Sequence, residues 1–169
     1  VKMLSEALAF HQRGEFAAAR RGYEQLLKKQ PKNHEALHFL GALHLQQGDA
    51  PRAVELIEQA LSLHADNPLY YGNLANALHR LERDDEALAW MDKAVARFPQ
   101  HAESHYNRGI VQAAMQAADA AIVSFREAVR LEPKNSAAWY NLGNACLFKE
   151  DFAAAAQAYE QATRLRPNY

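Results

Sequence analysis

The chain has 169 residues, of which 49% are apolar and 23% charged, and its 19 basic and 20 acidic side chains give a formal net charge of -1. That balance is ordinary for a folded protein and argues against a nucleic-acid footprint, which shows as a strong basic excess. No apolar run approaches the roughly 18 residues that a membrane span needs, and the single cysteine, Cys146, cannot build a disulfide framework or a metal-thiolate site.

Taken in order, the chain predicts five pairs of helices. First helices are expected over 2–13, 34–47, 68–81, 102–115 and 136–149. Second helices are expected over 16–29, 50–63, 84–97, 118–131 and 152–165. The basis is a period of 34 residues without insertion or deletion. Gly41, Ala75, Gly109 and Gly143 form one small-residue column, and Ala19, Ala53, Ala87, Ala121 and Ala155 a second. Leu26, Ala60, Ala94, Ala128 and Ala162 form a third, and Tyr23, Ile57, Met91, Phe125 and Tyr159 share a column of large residues. A missing side chain lets two helices approach closely, and large residues fill the remaining space. A fixed period of this length implies stacked supersecondary units, each hairpin finishing the apolar face of the one before.

Val1 to Gln12 reads as the first helix of the array rather than a signal peptide, so the cytoplasm is the expected compartment. A start at Val1 leaves open that a targeting segment has been removed. Gly14 and Gly48 are expected to close their first helices in the left-handed conformation. Glu82, Gln116 and Glu150 hold the same place in repeats three to five, so those turns should be less favourable. Pro31, Pro99, Pro133 and Pro167 stop second helices, Ala65 standing in for proline in repeat two. Lys28, Lys29, Arg97, Arg130 and Arg164 lie near helix C-termini, where cations are favoured. Helices of about 14 residues are marginal alone in water, so stacking must hold them. The face carrying Tyr159 and Ala162 is expected to lie open, which reads as a segment of a longer protein; self-association through that uncapped end is the alternative.

Repeat five carries Trp139, Leu142, Gly143, Ala155, Tyr159, Ala162 and Pro167 at family spacing, and on these residues the pattern resembles the tetratricopeptide repeat family. The resemblance spans the whole chain as repeats 1–33, 34–67, 68–101, 102–135 and 136–169, a single array. Met3, Leu37, Tyr71 and His105 stand where Trp139 stands, and Glu6 and Arg108 replace the leucine. The implied fold is all-α, a right-handed superhelix of five helical hairpins. The family's first helices line the inner, concave wall, which implies a groove for a protein or peptide ligand and no catalysis.

On that wall Asn73, Asn107 and Asn141 recur at one-repeat spacing. An amide carries donors and an acceptor, so a row of them can pair with successive peptide groups of an extended chain. Tyr106 and Tyr140 precede two of these asparagines and are placed to stack on or hydrogen-bond the same ligand. The column resembles the asparagine ladder of O-GlcNAc-transferase-like arrays, whose wording WYNLGNA at 139–145 approaches. Ser5 and Phe39 interrupt the ladder in the first two repeats. Asn76, Asn144, His38, Phe39 and Arg80 complete the candidate peptide-binding residues. A structural amide holding adjacent repeats together is the competing reading of the column.

Other chemistry is sparse. A chaperone-type carboxylate clamp would need cations where Leu4, Leu8, His38, Ala42, Gly72, Asn76, Tyr106 and Ile110 stand. His34 with His38, and His101 with His105, are four residues apart, but a zinc site needs further ligands and no His-Glu-x-x-His pattern occurs. No phosphate loop or nucleophile elbow is present, and no cofactor is expected. Glu82, Asp84, Asp85 and Glu86 suit a helix start, and Arg20, Arg21, Lys28, Lys29 and Lys32 read as a solvated face. Trp90 lies outside the packing columns and reads as a rim aromatic or a domain contact. Three functions follow: a non-catalytic protein-interaction module, the substrate-recognition region of a glycosyltransferase-like enzyme, or a scaffold that self-associates. A helical RNA-binding repeat lacks this glycine and alanine packing and is set aside.

Overall fold

The computed structural model describes residues 2–166, so Pro167, the expected stop of the last helix, lies outside the described residues. Ten α-helices and no strands occur among the described residues: α1 (Lys2–Gln12), α2 (Phe16–Lys29), α3 (His34–Gln46), α4 (Ala50–Leu63), α5 (Pro68–Arg80), α6 (Asp84–Arg97), α7 (Ala102–Ala114), α8 (Ala118–Leu131), α9 (Ser136–Phe148) and α10 (Phe152–Leu165). Every second helix has its expected bounds. The first helices stop one residue early, because Gln47, Leu81, Met115 and Lys149 have ψ near zero and lead into a left-handed residue.

That left-handed residue repeats with the period. Gly14 and Gly48 have φ of 76° and 86°, and Glu82, Gln116 and Glu150 adopt φ of 59–60° at the same register. The following N–H then reaches back five residues, as in Asp49 to the His44 carbonyl at 2.9 Å and Asp151 to the Cys146 carbonyl at 3.0 Å, satisfying helix-end carbonyls. Caps close the other ends. Asn33, Asp49, Asn67, His101, Asn135 and Asp151 each accept a backbone N–H from the first turn of the helix that follows.

The chain divides into two compact units, residues 1–83 and 84–169. In the first, α1 packs on α2 and α3 on α4, with α2 against α3 and α4 against α5. Ala19, Ala53 and Ala60 are wholly buried there with Tyr23, Ile57 and Leu74. Gly41 faces Ile57 so closely that a Cβ would lie 2.7 Å from its Cγ1.

In the second unit, α7 packs on α8 and α9 on α10, with α6 against α7 and α8 against α9. A Cβ on Gly109 or Gly143 would lie 2.6 Å from a ring carbon of Phe125 or Tyr159. The glycine column is therefore the seat of the large-residue column within the same hairpin. Phe125, Ala121, Ala128, Leu142, Cys146 and Ala155 form one continuous core, in which burial pushes the Cys146 thiol pKa up.

The column headed by Trp139 has a shared structural use. Trp139 Nε1 donates to the Pro133 carbonyl at 2.9 Å, His105 Nε2 to the Pro99 carbonyl at 3.0 Å, and the Tyr71 hydroxyl to the Ala65 carbonyl at 3.1 Å. Trp, His and Tyr replace one another because each carries a donor at the tip of a flat apolar ring. Arg108, at a leucine position, joins a polar network instead. Its Nε donates to Ser124 Oγ at 2.9 Å, and the Ser124 hydroxyl donates to Gln112 Oε1 at 2.7 Å.

Candidate functional site

First helices lie side by side within each unit, α1 with α3, α3 with α5 and α7 with α9, and hydrogen bonds link them at an offset of 35 residues. In the first unit His11 Nε2 meets Gln46 Oε1 at 2.9 Å, Asn73 Nδ2 meets His38 Nε2 at 2.8 Å, and Arg80 Nη1 donates to the Leu45 carbonyl at 3.0 Å. In the second unit Asn141 Nδ2 donates to the Tyr106 hydroxyl at 3.1 Å. Two rungs of the asparagine column thus bond one N–H to the side chain just before the preceding column position.

His38 is buried and stacks on Tyr70 at a centroid distance of 4.2 Å, tilted against Phe39 at 5.2 Å. With the Asn73 amide donating to Nε2, the ring proton sits on Nδ1, a buried atom without a partner. Burial first, and the neighbouring His34 second, lower the His38 pKa to about 4. His34 itself bonds the Tyr70 hydroxyl at 2.9 Å and stacks on His64. His38 and Phe39 are therefore part of the packed wall between repeats two and three, and Phe39 also stacks on Tyr23.

The second unit differs. Asn107 is half-buried on α7 and has no hydrogen-bond partner among the described residues. Asn141 keeps its second N–H and its carbonyl oxygen, and Asn144 accepts from the Tyr159 hydroxyl at 2.7 Å through Oδ1, leaving its N–H groups open. Tyr140 is 40% exposed, its ring tilted against Tyr159 at 5.7 Å. Tyr106 packs against Phe125 while its hydroxyl holds Asn141. In the first unit Asn76 is exposed on α5, and Arg80 is exposed on α5 with one guanidinium nitrogen on the wall.

The histidine pairs are accounted for individually. His101 Nδ1 accepts the Ser104 N–H at the start of α7, and His105 reaches a loop carbonyl. Among the described residues no group of three or more His, Cys, Asp or Glu side chains is placed to hold a metal ion. No helix among them is long and apolar enough to cross a membrane. Trp90 is half-buried, with Lys93 Nζ 4.0 Å from its ring centroid. Sequence reasoning missed the 35-residue offset, the cap residues and the Arg108 network; of these only the caps carried a signal, Asn or Asp just before five of the ten helices.

Sequence comparison with curated proteins finds no match. Among solved structures, the chain is similar to MamA from Desulfovibrio magneticus, at 21% identity over 98% of this chain and 93% of that one, with a TM-score of 0.85. A thermophilic tetratricopeptide repeat protein of Thermus thermophilus is 24% identical over 99% and 91% of the two chains, with a TM-score of 0.79. YrrB, described as having an unusual peptide-binding site, is 21% identical over 100% and 87%, with a TM-score of 0.78. At these identities the likeness is one of fold. Models of the tetratricopeptide repeat match residues 4–68, 40–102, 102–135 and 136–169. Tetratricopeptide repeat proteins are protein-interaction modules, and by these matches the chain belongs to the tetratricopeptide repeat family.

Proposed function

We propose that this chain is a non-catalytic module that holds an extended peptide against its first helices, most specifically along α7 and α9. The observation that carries this reading is Asn107: a half-buried amide whose two N–H donors and carbonyl have no partner among the described residues. Such an amide is open to a ligand in place of water, and a peptide main chain offers both complements at regular spacing. Asn141 adds an open carbonyl oxygen and one N–H on the next first helix, and Tyr140 adds an exposed ring. In the first unit Asn73, His38, Phe39 and Arg80 are committed to contacts within the wall, which leaves the exposed Asn76 and the rest of the Arg80 guanidinium to meet a ligand's side chains. In this reading the partner is a protein, not a nucleic acid or a membrane; no cofactor takes part and the setting is cytoplasmic.

The test is selection from a random peptide library displayed on phage, followed by mapping of a selected peptide by amide chemical shifts. Shifts concentrated on α7 and α9, with affinity lost in Asn107→Ala, support the reading. Failure to select any peptide, or shifts confined to second helices, overturns it. The Asn column and the WYNLGNA wording also favour a second reading, in which the repeats choose protein substrates for a glycosyltransferase-like domain of a longer chain. The coding sequence on either side of these residues tests that.

A further inference from the structure

A cleft of about 230 Å³ opens between α7, α8 and α9, beside the Asn141 and Asn144 amides. Ile110 and Ala113 from α7, Phe125 from α8 and Phe148 from α9 supply apolar walls, and Asn141 and Asn144 stand at its polar side. Phe148 is 65% exposed, so its ring is open to a ligand at the mouth of the cleft.

The size sets what fits. A cavity of about 150 Å³ takes one benzene ring, and sites for drug-sized molecules begin at about 300 Å³; the cleft lies between them. Its charge sets the rest. No ionisable side chain lines it, and Lys149 and Asp119, which flank the ends of α9 and α8 beside it, are paired with each other at 3.0 Å. An inserted carboxylate or ammonium would lose water and gain no counter-charge there.

We infer that this cleft is a specificity pocket for one large uncharged apolar side chain, of the leucine, methionine or phenylalanine class, carried by an extended peptide. The open N–H groups of Asn144 and the Asn141 carbonyl take the peptide groups that flank that side chain. The inference rests on the peptide-binding reading of α7 and α9 and adds the chemistry of the residue that is read.

The test titrates N-acetyl-leucine methylamide, N-acetyl-phenylalanine methylamide and N-acetyl-alanine methylamide into the protein while following the methyl signals of Ile110, Ala113 and Ala145. The leucine and phenylalanine amides are expected to shift these signals with at least about tenfold higher affinity than the alanine amide, as burial of a large side chain implies. Ala113→Phe, at an exposed position of α7, fills the cleft and should abolish the shifts at Ile110 and Ala145; Ala113→Leu repeats the test with a smaller plug. Unmoved methyl signals, or an equal response to the alanine amide, overturn the inference. A display-selected peptide that binds Ala113→Phe as tightly as the parent protein overturns the pocket while leaving the interaction module standing, whereas failure to select any peptide overturns the module.

Discussion

Asn141 donates through Nδ2 to the Tyr106 hydroxyl 3.1 Å away, one repeat and one residue earlier, whereas Asn107 in the same column meets no such partner. The same residue type at the same register is therefore bonded in one repeat and left without a partner among the described residues in the other. Tyr106→Phe should cost about 1 kcal/mol of stability, the usual net worth of a hydrogen bond, and Asn107→Ala should stay within about 0.5 kcal/mol. Urea unfolding of both variants checks the contrast, and a double-mutant cycle of Tyr106→Phe with Asn141→Ala should return the coupling.

His38 makes the first unit sensitive to acid. Its folded pKa of about 4 lies below the ordinary 6.5, so the fold holds the neutral ring. His34, Tyr70 and Asn73 face it, and none offers a counter-charge. The stabilisation is complete above pH 6.5; as pH falls from 6.5 toward 4 the unfolded chain takes the proton first and about 3 kcal/mol is lost. Urea midpoints across that range should fall for the parent protein and fall less for His38→Phe.

The left-handed turn positions offer stabilising changes. Glu82, Gln116 and Glu150 hold φ near 60°, where an L side chain crowds its own carbonyl. Each replaced by glycine should gain about 0.5–1 kcal/mol, and Gly48→Ala should lose about as much. Thermal melting of the three single variants and their combination measures the increments.

Gly143 and Gly109 should tolerate no side chain. A Cβ there meets the Tyr159 or Phe125 ring at 2.6 Å, so Gly143→Ala should cost about 1–3 kcal/mol through displacement of the ring. A smaller partner should relieve it: Gly109→Ala combined with Phe125→Leu should lose less than the sum of the two single changes, read by urea unfolding.

The period made the fold legible. Small residues recurring every 34 positions placed all ten helices, and the second helices to the residue, because the packing that defines them leaves glycine and alanine in columns. The Trp139 column looked degraded at Tyr71 and His105, since the sequence shows residue type and not the donor each ring carries to a loop carbonyl. Arg108 looked like a lost leucine for the same reason: its partner Ser124 lies 16 residues away, and Ser124 in turn bonds Gln112, with no pattern to announce either. The candidate site was half visible. The asparagine column could be read from spacing, but which amides were already spent depended on a 35-residue offset that puts His38 and Tyr106 beside Asn73 and Asn141. That offset comes from how neighbouring first helices pack, which spacing alone does not state.

The most direct test of the account is a paired measurement on Asn107→Ala: affinity for a display-selected peptide and the midpoint of urea unfolding. The account predicts affinity weakened by about tenfold, the loss of roughly one well-placed hydrogen-bonding amide, with an unchanged midpoint. Unchanged affinity, or a midpoint that falls with it, would contradict the claim that this amide is held free for a partner.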